Sequence, residues 1–125
     1  MFPNKEILYI FTEKRMVKFE VRFLEPAKVF LEDLDKKSRE KVLFNIWKAR
    51  EINDPELFKK LSDDIWEFRT HFKSNHIRFL AFWDRIGGNQ TLVITTHGFI
   101  KKTQKTPKKE IERAVRLRRE YMENK

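Results

Sequence analysis

The clearest periodic signal opens at Val17, where Val17-Lys18-Phe19-Glu20-Val21-Arg22-Phe23 alternates apolar and charged residues and so predicts a strand with one apolar face. Pro26 suits a first helical position, and Ala27, Phe30, Leu31 and Leu34 then recur at helical spacing. Asp35 reads as the N-cap of a second helix running to about Glu51, with Val42, Leu43, Ile46 and Trp47 as its buried stripe. Asn53-Asp54-Pro55 breaks the helical pattern. Period two returns in three runs, residues 65–72, 76–83 and 90–97, separated by turn signals at Lys73-Ser74-Asn75 and Ile86-Gly87-Gly88-Asn89. Thr106-Pro107 reads as N-cap and first residue of a last helix, whose stripe is Ile111, Ala114, Leu117 and Tyr121.

The predicted order is therefore β-α-α-β-β-β-α, a small α+β domain with an antiparallel sheet, an N-terminal helical hairpin and a C-terminal helix. In the run 65–72, Trp66, Phe68, Thr70 and Phe72 share the core face, while Glu67, Arg69 and His71 share the other. The helices are expected to cover one sheet face and leave the polar one open. A chain of 125 residues suits one domain. We place that domain at residues 16–125. Residues 1–15 read as an N-terminal extension: an edge strand, a flexible arm, or sequence upstream of a natural start at Met16.

Composition adds a direction. There are 12 Phe and 3 Trp, enough for a packed interior despite 38% charged residues. The net charge of +9 favours a polyanionic or acidic partner. Residues 101–125 hold 10 basic and 4 acidic side chains, so the C-terminal fifth is the basic end. The absence of Cys excludes disulfides, thiolate metal sites and cysteine nucleophiles, and suits the cytoplasm. No apolar run approaches the roughly 20 residues of a membrane span, and Ile7-Leu8-Tyr9-Ile10-Phe11 is too short, and too closely flanked by Lys and Glu, for an export signal. Three scattered His lack metal-site spacing, and Gly87-Gly88 is a hairpin signal, not a phosphate loop, so no metal and no cofactor is expected.

Three strings then fall in order: Trp66-Glu67-Phe68-Arg69, Ile77-Arg78-Phe79-Leu80, and His97-Gly98-Phe99-Ile100-Lys101-Lys102-Thr103-Gln104-Lys105-Thr106-Pro107. Together they resemble the RelE/ParE toxin superfamily, specifically its HigB-like branch related to phage-derived host-inhibition proteins. The resemblance covers Met16 to the C-terminus, and the last string is its most specific part. It implies a RelE-like, microbial-RNase-like fold and the toxin role of a type II toxin–antitoxin system. Such a toxin enters the ribosome and cuts messenger RNA without metal, using the 2′-hydroxyl of the RNA as nucleophile. It also implies an antitoxin partner, expected to carry a helix-turn-helix domain.

That chemistry needs a base for the hydroxyl, cationic donors for the added negative charge, and an acid for the leaving oxygen. Arg78, where the family places an arginine on the scissile phosphate, and Arg69 are the foremost candidates, with Lys101 and His97 beside them as catalytic residues. Lys102, Thr103, Lys105, His71 and Phe99 are candidates for RNA binding: the lysines and threonine on phosphate, Phe99 as a stacking ring. The plain alternatives stay open. Either arginine pairs with Glu67 or another acid across the sheet, the lysines belong to a solvated loop, and each His is a hydrogen-bonded structural residue. His76 reads as surface, and Tyr121 as packing. Two other functions compete: a ParE-like inhibitor of DNA gyrase on the same fold, and a basic binding module without catalysis.

Overall fold

The computed structural model of the protein describes residues 19–85 and 92–125. In chain order these form β1 (Glu20–Phe23), α1 (Glu25–Asp33), α2 (Lys36–Ala49), β2 (Phe58–Lys60), β3 (Trp66–Phe72), β4 (Asn75–Asp84), β5 (Leu92–Lys101) and α3 (Lys108–Glu123). The α+β class and the helical hairpin after the first strand agree with the sequence pattern. Residues 1–15, the start of the first predicted strand and the glycine turn at 86–89 lie outside the described residues.

The strands make one sheet in the order β1-β5-β4-β3-β2. It is mixed, not all antiparallel, because β1 runs parallel to β5 with Val21 opposite Val93. Alternation along a strand says which face a side chain takes but not which neighbour the strand chooses. Here α1 and α2 carry the chain from β1 to β2 at the far edge, and the meander β2-β3-β4-β5 returns it beside β1. The added strand β2 carries one buried residue, Phe58, and two exposed lysines, too short a pattern for periodicity to reveal.

Local signals explain most element ends. The Asp35 carboxylate accepts the Ser38 backbone N–H at 3.2 Å and caps α2. Lys73 (φ 51°) and Ser74 (φ 67°) are both left-handed between the paired residues Phe72 and Asn75, a two-residue turn whose twist matches the strands it joins. Pro26 is the second residue of α1, and the N-cap of α3 is Pro107 instead of Thr106, whose hydroxyl is engaged elsewhere.

Two cores lie on opposite faces of the sheet. Under α1 and α2, Val42 and Ile46 pack with Phe19, Phe68, Ile77 and Phe79. Phe58 stacks on Phe68 at 4.3 Å and on Trp66 at 4.8 Å between ring centroids, so the short strand is held by aromatic area more than by its ladder. Gly98 of β5 sits beneath α1: a Cβ there would lie 2.5 Å from Phe30 and 2.8 Å from Phe79, so only glycine lets the helix approach this closely.

The opposite face is only half open. Ile111, Ala114, Val115 and Tyr121 of α3 cover Ile65, Leu80, Phe82 and Ile94, since an amphipathic helix must bury its stripe against something. Coverage ends toward the start of β4, where His76 is exposed and the largely buried Arg78 reaches a cleft.

Candidate functional site

That face carries a ladder of paired residues, exposed at His71 and His76 and buried at Glu67, Arg78, Leu80 and His97. Across β3 and β4, His71 lies opposite His76, Arg69 opposite Arg78 and Glu67 opposite Leu80. Across β4 and β5, His76 lies opposite Lys101, Arg78 opposite Phe99 and Leu80 opposite His97. Three successive rows result: His71–His76–Lys101, Arg69–Arg78–Phe99 and Glu67–Leu80–His97.

A bulge makes this face possible. Leu80 pairs with His97 but Ala81 pairs with Thr95, so Thr96 is an extra residue in β5, and its hydroxyl bonds to the Leu80 carbonyl at 3.1 Å. Below the bulge Val93 and Thr95 face α1 and α2; above it Gly98 and Ile100 do. Without the extra residue, strict alternation would send His97, Phe99 and Lys101 to the helical side.

Like charges directly opposite one another repel, and Arg69 facing Arg78 needs an offset. Glu67 supplies it. Its side chain is 2% exposed, and one oxygen, Oε1, lies 3.6 Å from Nε of Arg78 and 3.7 Å from Nε of Arg69. The other, Oε2, accepts the Thr106 hydroxyl from the turn before α3. Arg78 also donates to the Ile77 carbonyl at 3.2 Å, while its buried Nε has no hydrogen-bond partner among the described residues. Burial pushes the Arg78 guanidinium down from its ordinary pKa, with the nearby Glu67 carboxylate acting against that. Arg69, more exposed, donates to the Pro55 carbonyl at 3.3 Å and lies 4.0 Å from Glu56.

Above this anchor is an open cleft of about 470 Å3 lined by Arg69, His76, Arg78, Lys101, Lys102, Thr103 and Gln104. A second cleft of about 520 Å3 shares Arg69, Lys101 and Gln104 with it and continues past Lys59, Lys105 and Thr106 to Ile111. The pair form one cationic channel. Lys101 is half-buried, and burial, then Arg78, lowers its pKa. Thr103 donates to the Lys105 carbonyl at 2.6 Å, a local bond within the exposed basic segment.

The structure thus gathers Arg69, Arg78, Lys101, Lys102 and Thr103 around one cleft and places Lys105 on the adjoining one. His71 stands at the rim, exposed, its ring stacked on His76 at 4.3 Å and 15°. Phe99 is half-buried opposite Arg78, stacked at 5.9 Å on His97, and packs against the core under α3, outside the lining of either cleft.

His97 is apart from the cleft, 1% exposed under α3. Its Nε2 lies 3.0 Å from Glu110; a carboxylate only accepts, so Nε2 carries the proton. Burial lowers its pKa, with the Glu110 hydrogen bond opposing.

Glu67, Gln104, Lys59 and His76 are the site residues that sequence reasoning passed over as functional. Glu67 alone is hinted at, as a residue that shares a strand face with Arg69 and could pair with either arginine.

Compared with protein families, residues 29–119 match the family described as Phage derived protein Gp49-like (DUF891). The chain belongs to this family. The matched span includes every strand but β1 and takes in the whole cleft. No curated protein matches the chain.

Proposed function

We propose that this Gp49-like protein is the toxin of a toxin–antitoxin pair and cleaves messenger RNA on the ribosome. One observation carries the reading: Arg69, Arg78 and Lys101 converge on an open cleft, and a buried carboxylate holds the two arginines there despite their mutual repulsion. A fold does not maintain such a row for stability, since an apolar ladder would do better. It suits a phosphate passing through a state with extra negative charge.

In this reading the 2′-hydroxyl attacks the adjacent phosphorus, the bond to the 5′-oxygen breaks, and a 2′,3′-cyclic phosphate and a 5′-hydroxyl result. Arg78 and Arg69 stabilise the phosphorane-like charge as permanent cations, and Lys101 joins them from β5. Lys102, Thr103 and Lys105 guide flanking phosphates along the channel, with His71 at its rim and Phe99 beneath. His97, occupied by Glu110, takes no part. The site works in the cytoplasm, where ribosomes are; among the described residues no helix is long and apolar enough to cross a membrane. An antitoxin, a helix-turn-helix protein encoded alongside, silences the toxin by covering the cationic cleft.

The test is induced expression of wild type beside Arg78→Ala, with 5′ ends mapped on messenger RNA in a translating extract. Fresh cuts within codons, lost in the variant, are expected. Growth arrest over intact RNA would instead point to gyrase, and RNA bound but uncut to a binding module.

A further inference from the structure

The cleft has charge stabilisers in plenty, yet the reaction also needs a group that accepts the proton of the 2′-hydroxyl. Of the side chains that line it, arginine does not give up its proton, and Thr103 and Gln104 do not titrate. In the reading above Lys101 is committed to the negative charge on the phosphate and Lys102 to a flanking phosphate. His97, the histidine with the strongest motif, is sealed under α3 against Glu110. That leaves one imidazole in the lining, His76.

We propose that His76 is the general base of the cleft: its ring nitrogen takes the proton from the 2′-hydroxyl as the oxygen bonds to phosphorus. The inference rests on the ribonuclease reading above. As the new bond forms, the 5′-oxygen departs with its electron pair and is protonated by water at the open side of the cleft. The imidazolium then returns its proton to solvent.

Three placements support this. His76 is the direct cross-strand partner of Lys101 and stands two residues before Arg78 on the same face of β4, so a phosphate held by these cations has the imidazole at its edge. The turn at Lys73-Ser74 sets His71 opposite His76, and their stacking at 4.3 Å and 15° makes His71 a positioning residue that limits rotation of the second ring. The charged and titratable groups around His76 are all basic: His71 and Arg69 on β3, Arg78 on its own strand, and Lys101 on β5. Loss of solvation comes first, and these charges add to it, so the ring is held below its ordinary 6.5 and is neutral, ready to accept, at cellular pH.

The test is single-turnover cleavage of a programmed ribosome between pH 5 and 8. For wild type, the rate should climb through one ionisation below pH 6.5 and then level. His76→Ala should lose about 100-fold in rate and the pH rise with it, with partial recovery in added imidazole. Its affinity for a ribosome carrying the same message with a 2′-deoxy residue at the cut should stay within about threefold, which separates chemistry from folding. His71→Ala should keep the pH rise but shift its midpoint upward, as one neighbouring charge is removed. The proposal is overturned if His76→Ala cleaves at nearly the wild-type rate with the same pH rise, or if its whole defect is in affinity. A wild type that does not cut at all removes the ribonuclease reading and this inference together, whereas a cutting wild type and an unimpaired His76→Ala reject His76 alone.

Discussion

Thr106 donates its hydroxyl to Glu67, so the carboxylate that anchors Arg69 and Arg78 also ties down the turn that carries the lysine-rich segment into α3. The strand end and the basic turn are thereby one unit. Glu67→Gln keeps the shape but leaves a buried guanidinium without its counter-charge. Unfolding in urea should show a loss of about 3 kcal/mol, and RNA cleavage should fall by at least tenfold even where the variant is folded. Thr106→Val should produce a smaller loss, about 1 kcal/mol, with cleavage reduced in the same direction.

Arg78→Lys tests whether charge alone suffices. A lysine keeps the cation but has no planar fork to face Glu67 and a phosphate at once. The expectation is cleavage reduced nearly as far as in Arg78→Ala, measured on the same programmed ribosome. Lys102→Ala, by contrast, removes an exposed cation at the lip. It should weaken ribosome association and flatten its salt dependence while changing the single-turnover rate little.

Gly98→Ala probes the seat of α1. The added methyl would meet the Phe30 and Phe79 rings at 2.5 and 2.8 Å, and the cost should be about 2 kcal/mol in a denaturation series. Trimming Phe30 to Leu in the same chain should recover part of that loss. Additive losses in the double variant would mean that the helix does not rest where the structure puts it.

His97 predicts a pH dependence of stability rather than of chemistry. Its folded pKa lies below the ordinary 6.5, so between those two values the unfolded chain binds the extra proton. Stability from this group is fully present above 6.5 and is lost as pH falls through that window. The urea midpoint of wild type should therefore drop more steeply below pH 6.5 than that of His97→Gln.

Tyr121 separates packing from catalysis. Its hydroxyl donates to Asp84 at 2.7 Å and its ring meets Phe82 at 5.5 Å. Asp84 is six residues along β4 from Arg78, roughly 20 Å at strand rise. Tyr121→Phe should cost about 1 kcal/mol of stability and leave the cleavage rate unchanged. A rate loss with the fold intact would bring this ring into the site.

Periodicity by itself determined a good deal here. Alternation in 65–72 placed Glu67, Arg69 and His71 on one face, the helical spacing of Ala27, Leu31, Val42 and Ile46 marked the hairpin that buries the other, and Asp35 announced its cap. These are local properties, set by backbone geometry that a few neighbouring residues impose. The motif strings likewise brought Arg78 and Lys101 forward before any contact was known. Only the tertiary structure decided which of the polar residues meet. The Thr96 bulge turned Lys101 toward the arginines, α3 closed over His97 and removed it from the cleft, and the turn at Lys73-Ser74 set an overlooked His76 against His71. The hairpin pairing of His71 with His76 is local and hangs on the exact turn length. The other two outcomes depend on how more distant segments register and pack, a choice made by the burial of whole faces and not by the residues that occupy the site.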